Sequence, residues 1–329
     1  EEKIQGGVMK VKTFTQLQNI WRIVLILLVL MLIATQPLVA QKQTDKTPPG
    51  DEPLTINTDL VTFNVSVTDK AGRAVTGLNK NIFNVFDNKK LQEIHFFSDE
   101  DTPASISIVF DTSGSMSVKK INQAKEALAS FINTTHNRDE FFLIDFNSRA
   151  RLLLDRTRDS DAILNKFNLV EPQGNTAVYD AVYLGVEKVM QGSHPKKVVL
   201  LISDGEDNNS RYSYRELRRR LRESEVIIYA IGFGGYYPLK GGLNGRETLK
   251  ELASTSGGKA FFPKGQVDMD EAFEQIALEI RHLYSVSYYP NNFSADGKWH
   301  RVRVKVNFPK GSPLFSVRSR EGYFAGINH

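Results

Sequence analysis

Residues 108–116 read Ile-Val-Phe-Asp-Thr-Ser-Gly-Ser-Met, IVFDTSGSM. An apolar run stops on a carboxylate, and three hydroxyl side chains follow within four positions around one glycine. Three readings compete for this stretch. Ser113 or Ser115 could cap a helix beginning near Val118, because a side-chain oxygen there satisfies an otherwise unpaired backbone N–H. A phosphate loop would need G-x-x-x-x-G-K-[ST], which the chain lacks. The third reading is half of a metal site, and it depends on what else the chain brings near Asp111.

Outward from this stretch the pattern alternates between strand and helix. Ile106–Phe110 is a short buried strand. Ile121, Ala124, Leu128, Phe131 and Ile132 recur at helical spacing. Phe141–Phe146 reads as a strand and Leu152–Leu154 as a further short one. Val178, Ala181, Val182 and Val189 mark a helix, Val198–Ile202 a strand and Tyr214–Glu223 a helix. Val226–Ile231, Glu247–Ala253 and Ala260–Phe262 continue as strand, helix and strand. Phe273, Ile276, Ala277, Ile280 and Leu283 line the last helix. Such alternation predicts an α/β fold, a doubly wound and mostly parallel sheet over residues 103–284.

Both flanks are β in character. Val61, Phe63, Val65 and Val67 alternate with polar residues before a turn at Asp69–Gly72, and Val302, Val304, Val306 and Phe308 alternate with Arg301, Arg303, Lys305 and Asn307. Neither 54–102 nor 285–329 is long enough to bury its own core. The expectation is that the two flanks pair into one β-sandwich-like domain, with the α/β domain inserted between them.

Three loops offer oxygen ligands where a buried element ends: Asp111-Thr112-Ser113-Gly114-Ser115, Gly174-Asn175-Thr176, and Ser203-Asp204-Gly205-Glu206-Asp207. Asp111 and Asp204 fall at the carboxyl ends of parallel strands, where open α/β sheets bind ligands. If those strands are neighbours, the two carboxylates converge. Carboxylates with hydroxyls favour a hard divalent cation such as Mg2+. Cysteine is absent and no histidine lies near these loops, which disfavours zinc. The capping reading of Ser113, Ser115 and Thr176, and an ordinary turn at Asp204-Gly205, stand beside this one.

The order DTSGS, then Thr176, then SDG after an apolar strand resembles the von Willebrand factor type A (VWA) family and its metal-ion-dependent adhesion site. The flanks TDKAGRAVTGLNKNIFNVFDN and SREGYFA are similar to secreted bacterial proteins called von Willebrand factor A-related in Acidobacteria. The resemblance implies that Ser113 and Ser115 bind the metal through their hydroxyls and that Thr176 joins them in the ligand-engaged state. It implies that Asp111 and Asp204 contribute directly or through water. The cofactor is then Mg2+, with Mn2+ or Ca2+ as alternatives, and the partner is a protein offering an Asp or Glu carboxylate.

Arg215, Arg218, Arg219 and Arg222 form a basic helical face, read either as solvated surface or as a rim that steers an acidic partner. The net charge of +4 is too small to imply nucleic acid. At the N-terminus, Ile23 to Ala34 is wholly apolar, with Lys10, Lys12 and Arg22 before it and Leu38-Val39-Ala40 after it. This predicts a secretory signal peptide over 1–40 with its start at Met9, followed by a Pro-containing linker over 41–53. The location expected is secreted, periplasmic or cell envelope; an uncleaved segment would anchor the chain to the membrane instead. The function expected is non-catalytic, metal-dependent protein binding. A metal-dependent hydrolase and an envelope protein with a vestigial site are the alternatives. No base is identifiable for a nucleophilic serine, since no H-E-x-x-H occurs and the six histidines are scattered.

Overall fold

The computed structural model describes residues 60–167, 171–233, 244–291 and 297–326. The expected signal peptide and linker, and the glycines at 234, 235, 241 and 242, lie outside the described residues.

The described residues begin with four strands, β1 (Val61–Thr68), β2 (Phe83–Asp87), β3 (Lys90–Gln92) and β4 (Ile94–Ser98). The α/β module follows: β5 (Ala104–Asp111), α1 (Val118–Thr134), β6 (Glu140–Phe146), β7 (Ala150–Thr157), α2 (Ser160–Phe167) and α3 (Val178–Met190). It continues with β8 (Lys196–Ser203), α4 (Tyr214–Glu223), β9 (Ile227–Gly232), α5 (Gly245–Ser256), β10 (Ala260–Phe261) and α6 (Gln266–Arg281). The chain then returns to β structure with β11 (Tyr284–Tyr288), β12 (Trp299–Val306), β13 (Ser316–Arg318) and β14 (Gly322–Phe324).

The module's sheet has the order β10-β9-β8-β5-β6-β7 and is parallel except for β7, which runs antiparallel to β6. Strand β7 is longer than the sequence suggested, and its side chains are only half-buried. Helix α2 carries too few apolar positions, chiefly Ile163 and Phe167, to have shown a period. Because successive strand side chains point to opposite faces, β5 sends Ile106, Ile108 and Phe110 to α1, α2 and α6, and Val109 to α3, α4 and α5. Each large side chain fully buried in this way stabilises the fold by about 1.5–3 kcal/mol.

The flanking strands form two four-stranded sheets, β13-β1-β11-β4 and β14-β12-β2-β3. Strands from before and after the module meet in both, alternating in the first sheet and standing as β14-β12 beside β2-β3 in the second: β1 pairs antiparallel with β11 from Val61↔Tyr288 to Val65↔Tyr284, and β12 pairs with β2 from Val302↔Asp87 to Val306↔Phe83. Phe63, Val65, Val85, Val286, Val302 and Val304 share the core between these sheets. The tyrosine-rich stretch after the module is core as well, with Tyr284 and Tyr288 fully buried.

Strand β5 has β6 on one side and β8 on the other, so strand order reverses there. The crevice at the carboxyl ends of β5 and β8 is the switch point at which open α/β sheets bind ligands. The sandwich joins the other end of the module. Lys196, opening β8, donates to the carbonyls of Ile280 at 3.2 Å and Arg281 at 3.0 Å, where α6 leads into β11.

Candidate metal centre

Asp111 is the last residue of β5 and is fully buried. Its Oδ1 accepts from the Ser113 amide at 2.8 Å and its Oδ2 from the Ser203 hydroxyl at 2.6 Å. Desolvation pushes its pKa up to about 6, opposed by the Ser113 and Ser203 hydrogen bonds and reinforced by the charge of Asp204. Two carboxylates thus share a desolvated crevice, and among the described residues no lysine or arginine pairs with either.

The three loops are tied to one another in pairs. Gly114 N donates to Gly174 O at 3.0 Å and Gln173 N to Thr112 O at 2.9 Å, joining the first loop to the second. Ser203 joins the third to the first through Asp111. The amides of Asn208 and Asn209 both donate to Thr176 O at 3.0 Å, and Thr176 N donates to Asn208 Oδ1 at 2.9 Å, which closes the ring. Within it the Ser113 and Ser115 hydroxyls lie 2.9 Å apart. Ser113 and Thr176 are buried, Asp204 is half-buried and Ser115 is exposed. The mouth of the site therefore opens on the Ser115 side.

Capping does not account for these hydroxyls. Helix α1 is capped by Ser117, whose side chain accepts from Lys120 N, and neither Ser113 nor Ser115 takes that role. Ala177, which has no capping side chain, precedes α3. The first amides of α3 are served from the third loop instead: Ser210 Oγ accepts from Tyr179 N at 3.0 Å and Asp180 N at 3.1 Å. The turn at Asp204-Gly205 is tight. Gly205 has φ +81°, and a Cβ there would stand 2.2 Å from the Gly245 carbonyl oxygen. Only glycine fits.

The sequence shows Ser203 only as part of the third loop; its support of Asp111, and that of Asn208 for Thr176, appear in the structure alone. The only signal for Ser203 was its place beside Asp204 in the motif; Asn208 had none, because its contact is 32 positions away. Asp180, buried at the first turn of α3, likewise fixes the third loop by accepting from the amides of Arg211 and Tyr212, both at 2.9 Å.

The four arginines expected at a rim do not act as one group. Arg218 faces Glu251 at 4.0 Å, while Arg222 faces Glu321 at 3.6 Å and lies over the Trp299 ring at 5.1 Å, toward the sandwich. Arg215 and Arg219 are exposed one helical turn apart.

The donor set fits a hard cation. It offers two carboxylates and three hydroxyls, all oxygen, and the buried carboxylate of Asp111 has no lysine or arginine paired with it among the described residues. Among the described residues no group of three or more His, Cys, Asp or Glu side chains is placed to hold a metal. A cation here would thus keep much of its charge available to an outside ligand.

Several known proteins are similar to this chain. The inter-alpha-trypsin inhibitor heavy chain H4 of Sus scrofa is 23% identical over 302 residues, covering 86% of this chain and 30% of its own length. Inter alpha-trypsin inhibitor, heavy chain 4 of Mus musculus is 28% identical over 159 residues, covering 43% of this chain and 17% of its own. The chain thus spans less than a third of the length of these curated relatives. A solved von Willebrand factor type A structure from Catenulispora acidiphila superposes with a TM-score of 0.49 at 15% identity, over 82% of this chain and 64% of that one. Domains of this type typically mediate protein–protein interaction and adhesion. The von Willebrand factor type A domain model matches residues 105–277, more than half of the chain, and its limits coincide with the inserted module that carries the three loops: the chain belongs to the VWA family.

Proposed function

We propose that this protein binds a protein partner through a divalent cation, Mg2+ in the first place, and that it catalyses no reaction. The cation would be held by Ser113, Ser115 and Thr176 hydroxyls and by Asp111 and Asp204, directly or through water. It would supply a positive centre for an Asp or Glu carboxylate of the partner. The observation that carries this reading is the closed ring of three oxygen-bearing loops around Asp111, a desolvated carboxylate with no cationic side chain paired to it among the described residues. Ser203 and the Ser113 amide hold that carboxylate in one orientation, and Asn208 fixes Thr176. Arg215 and Arg219 remain available to draw an acidic surface toward the mouth.

The absence of chemistry is supported by the surroundings of Ser113. Its hydroxyl neighbour is another serine, and a nucleophilic serine needs an adjacent base. The described histidines lie elsewhere: His136 and His194 bond near the start of the sheet strands, His282 follows α6, and His95 and His300 sit in the sandwich. The N-terminal pattern supports export to the cell envelope or beyond. Capture of envelope proteins on the immobilised full chain, with and without EDTA, tests the proposal. A partner retained in Mg2+ and released by EDTA, and not held by Asp111→Ala, is expected. Equal capture in EDTA would overturn it.

A further inference from the structure

Strand β12 alternates strictly. Val302 and Val304 face the sandwich core, and Arg301, Arg303 and Lys305 face outward. Register extends that outward face across the sheet. Arg303 stands opposite Phe86 and Phe86 opposite Leu91, Lys305 opposite Asn84, and Trp299 opposite Phe324. No outward position of β2, β12 or β14 carries a carboxylate. Lys89 joins the cations from the hairpin turn between β2 and β3, where its φ is +70°.

These cations differ from the arginines where the sandwich meets the module. Arg318 is paired with Glu279 and Arg320 with Glu225, and Glu321, which leads into β14, is taken by Arg222. Among the described residues Lys89, Arg301, Arg303 and Lys305 have no ion-pair partner. With Phe86 they surround a hollow of about 300 Å3, whose floor is the Phe86 ring with Lys305 Nζ 5.3 Å above it. Leu91, 57% exposed, and Phe324, 38% exposed, stand on the same face.

We propose that the outer face of the β14-β12-β2-β3 sheet docks on an anionic lipid bilayer. The charge pattern complements a sheet of phosphodiester headgroups. Alternate residues of β12 place cations about 6.6–6.8 Å apart along a line, unopposed by acidic side chains on that face. The apolar part decides between a bilayer and a soluble polyanion. A hydrophilic polymer would use the cations and leave Phe86, Leu91 and Phe324 against water. A lipid surface takes both, with headgroup phosphates on the cationic rim and the glycerol and upper acyl region against the apolar side chains. This docking uses no residue of the candidate metal centre, which lies at the other end of the module, and it does not require the N-terminal apolar segment.

Co-sedimentation of the full chain with vesicles tests the proposal. The vesicles are phosphatidylcholine alone or phosphatidylcholine with one quarter phosphatidylglycerol. Any contribution of the N-terminal apolar segment is common to both compositions. The difference between them reports the basic face. Preference for the anionic vesicles is expected, falling as salt is raised. A basic residue near such a surface contributes about fivefold, so Arg301→Ala/Arg303→Ala/Lys305→Ala should cost about a hundredfold. Arg215→Ala/Arg219→Ala should retain the preference. Leu91→Ser should weaken vesicle binding and leave binding to soluble polyphosphate unchanged. Equal partition to the two vesicle types, or a triple variant that keeps the preference while its melting curve matches the wild type, would overturn the proposal. So would polyphosphate that binds as tightly as the anionic vesicles through the same three residues.

Discussion

Asp111 is held in a state that water would not choose. Burial and the neighbouring Asp204 both disfavour its charge, and only hydrogen bonds from Ser113 and Ser203 oppose them. Its raised pKa means that the ionised form costs the fold stability: the penalty is absent below its ordinary value of 3.8, grows through about 6 and is complete above. Asp111→Asn should therefore unfold in EDTA at no lower urea concentration than the wild type, while losing any stabilisation by Mg2+. Urea melts with and without the metal check both halves. Gly205 makes a second case at this scale. Gly205→Ala drives a methyl group toward the Gly245 carbonyl at a positive φ, and a loss of at least about 2 kcal/mol in chemical denaturation is expected. Asp111, Ser113, Ser115, Thr176 and Asp204 were named from loops that open beside buried elements and from the resemblance of their order to the family's motif. Ser203 stood in the third of those loops, but its support of Asp111, like that of Asn208 for Thr176, depends on contacts across the fold that no local pattern records.

Helix α1 shows why neighbouring serines need separate accounts. Ser117 faces the amide of Lys120 and caps the helix, while Ser113 and Ser115 face one another four and two positions earlier. Ser117→Ala should cost about 1 kcal/mol of stability in a thermal melt and leave metal affinity unchanged. Ser113→Ala should show the converse. Elements with a strong apolar period were legible at nearly their observed limits: Tyr214–Glu223 is α4 residue for residue, and Phe141–Phe146 falls one residue short of β6. Strand β7 was legible only in its middle, because an edge strand buries one side and tolerates charges along the rest. Helix α2 was hidden for the same physical reason, having only a short apolar stripe to display.

At the scale of the molecule, the module and the sandwich are stitched by buried charge. Glu279 of α6 accepts from Tyr229 of β9 at 2.6 Å and from Arg318 of β13, and Arg318 also reaches Ser66 of β1 at 3.0 Å. Arg318→Ala would strand Glu279, which is 2% exposed, and a loss of about 3–5 kcal/mol is expected in urea denaturation. Lys196 stitches the same junction through the Ile280 and Arg281 carbonyls, and burial lowers its pKa to about 8. Between about 8 and its ordinary 10.5 the unfolded chain binds a proton that the folded chain has released, so stability from this group rises with pH across that window. Lys196→Met should flatten that slope in melts taken between pH 8 and pH 10.5. The pairing of flanks across the inserted module could be inferred from their alternation, since each was too short to bury a core. Which strand sits beside which could not, because alternation identifies an inner face and says nothing of the neighbour.

The central claim is that the ring of loops at Asp111 holds a divalent cation. Calorimetric titration of Mg2+ and Mn2+ into the EDTA-stripped full chain tests it most directly. One binding site per chain is expected, lost in Asp111→Asn and Ser113→Ala and retained in Ser117→Ala. Absence of binding in the wild type, or binding that survives both substitutions at the ring, would contradict it.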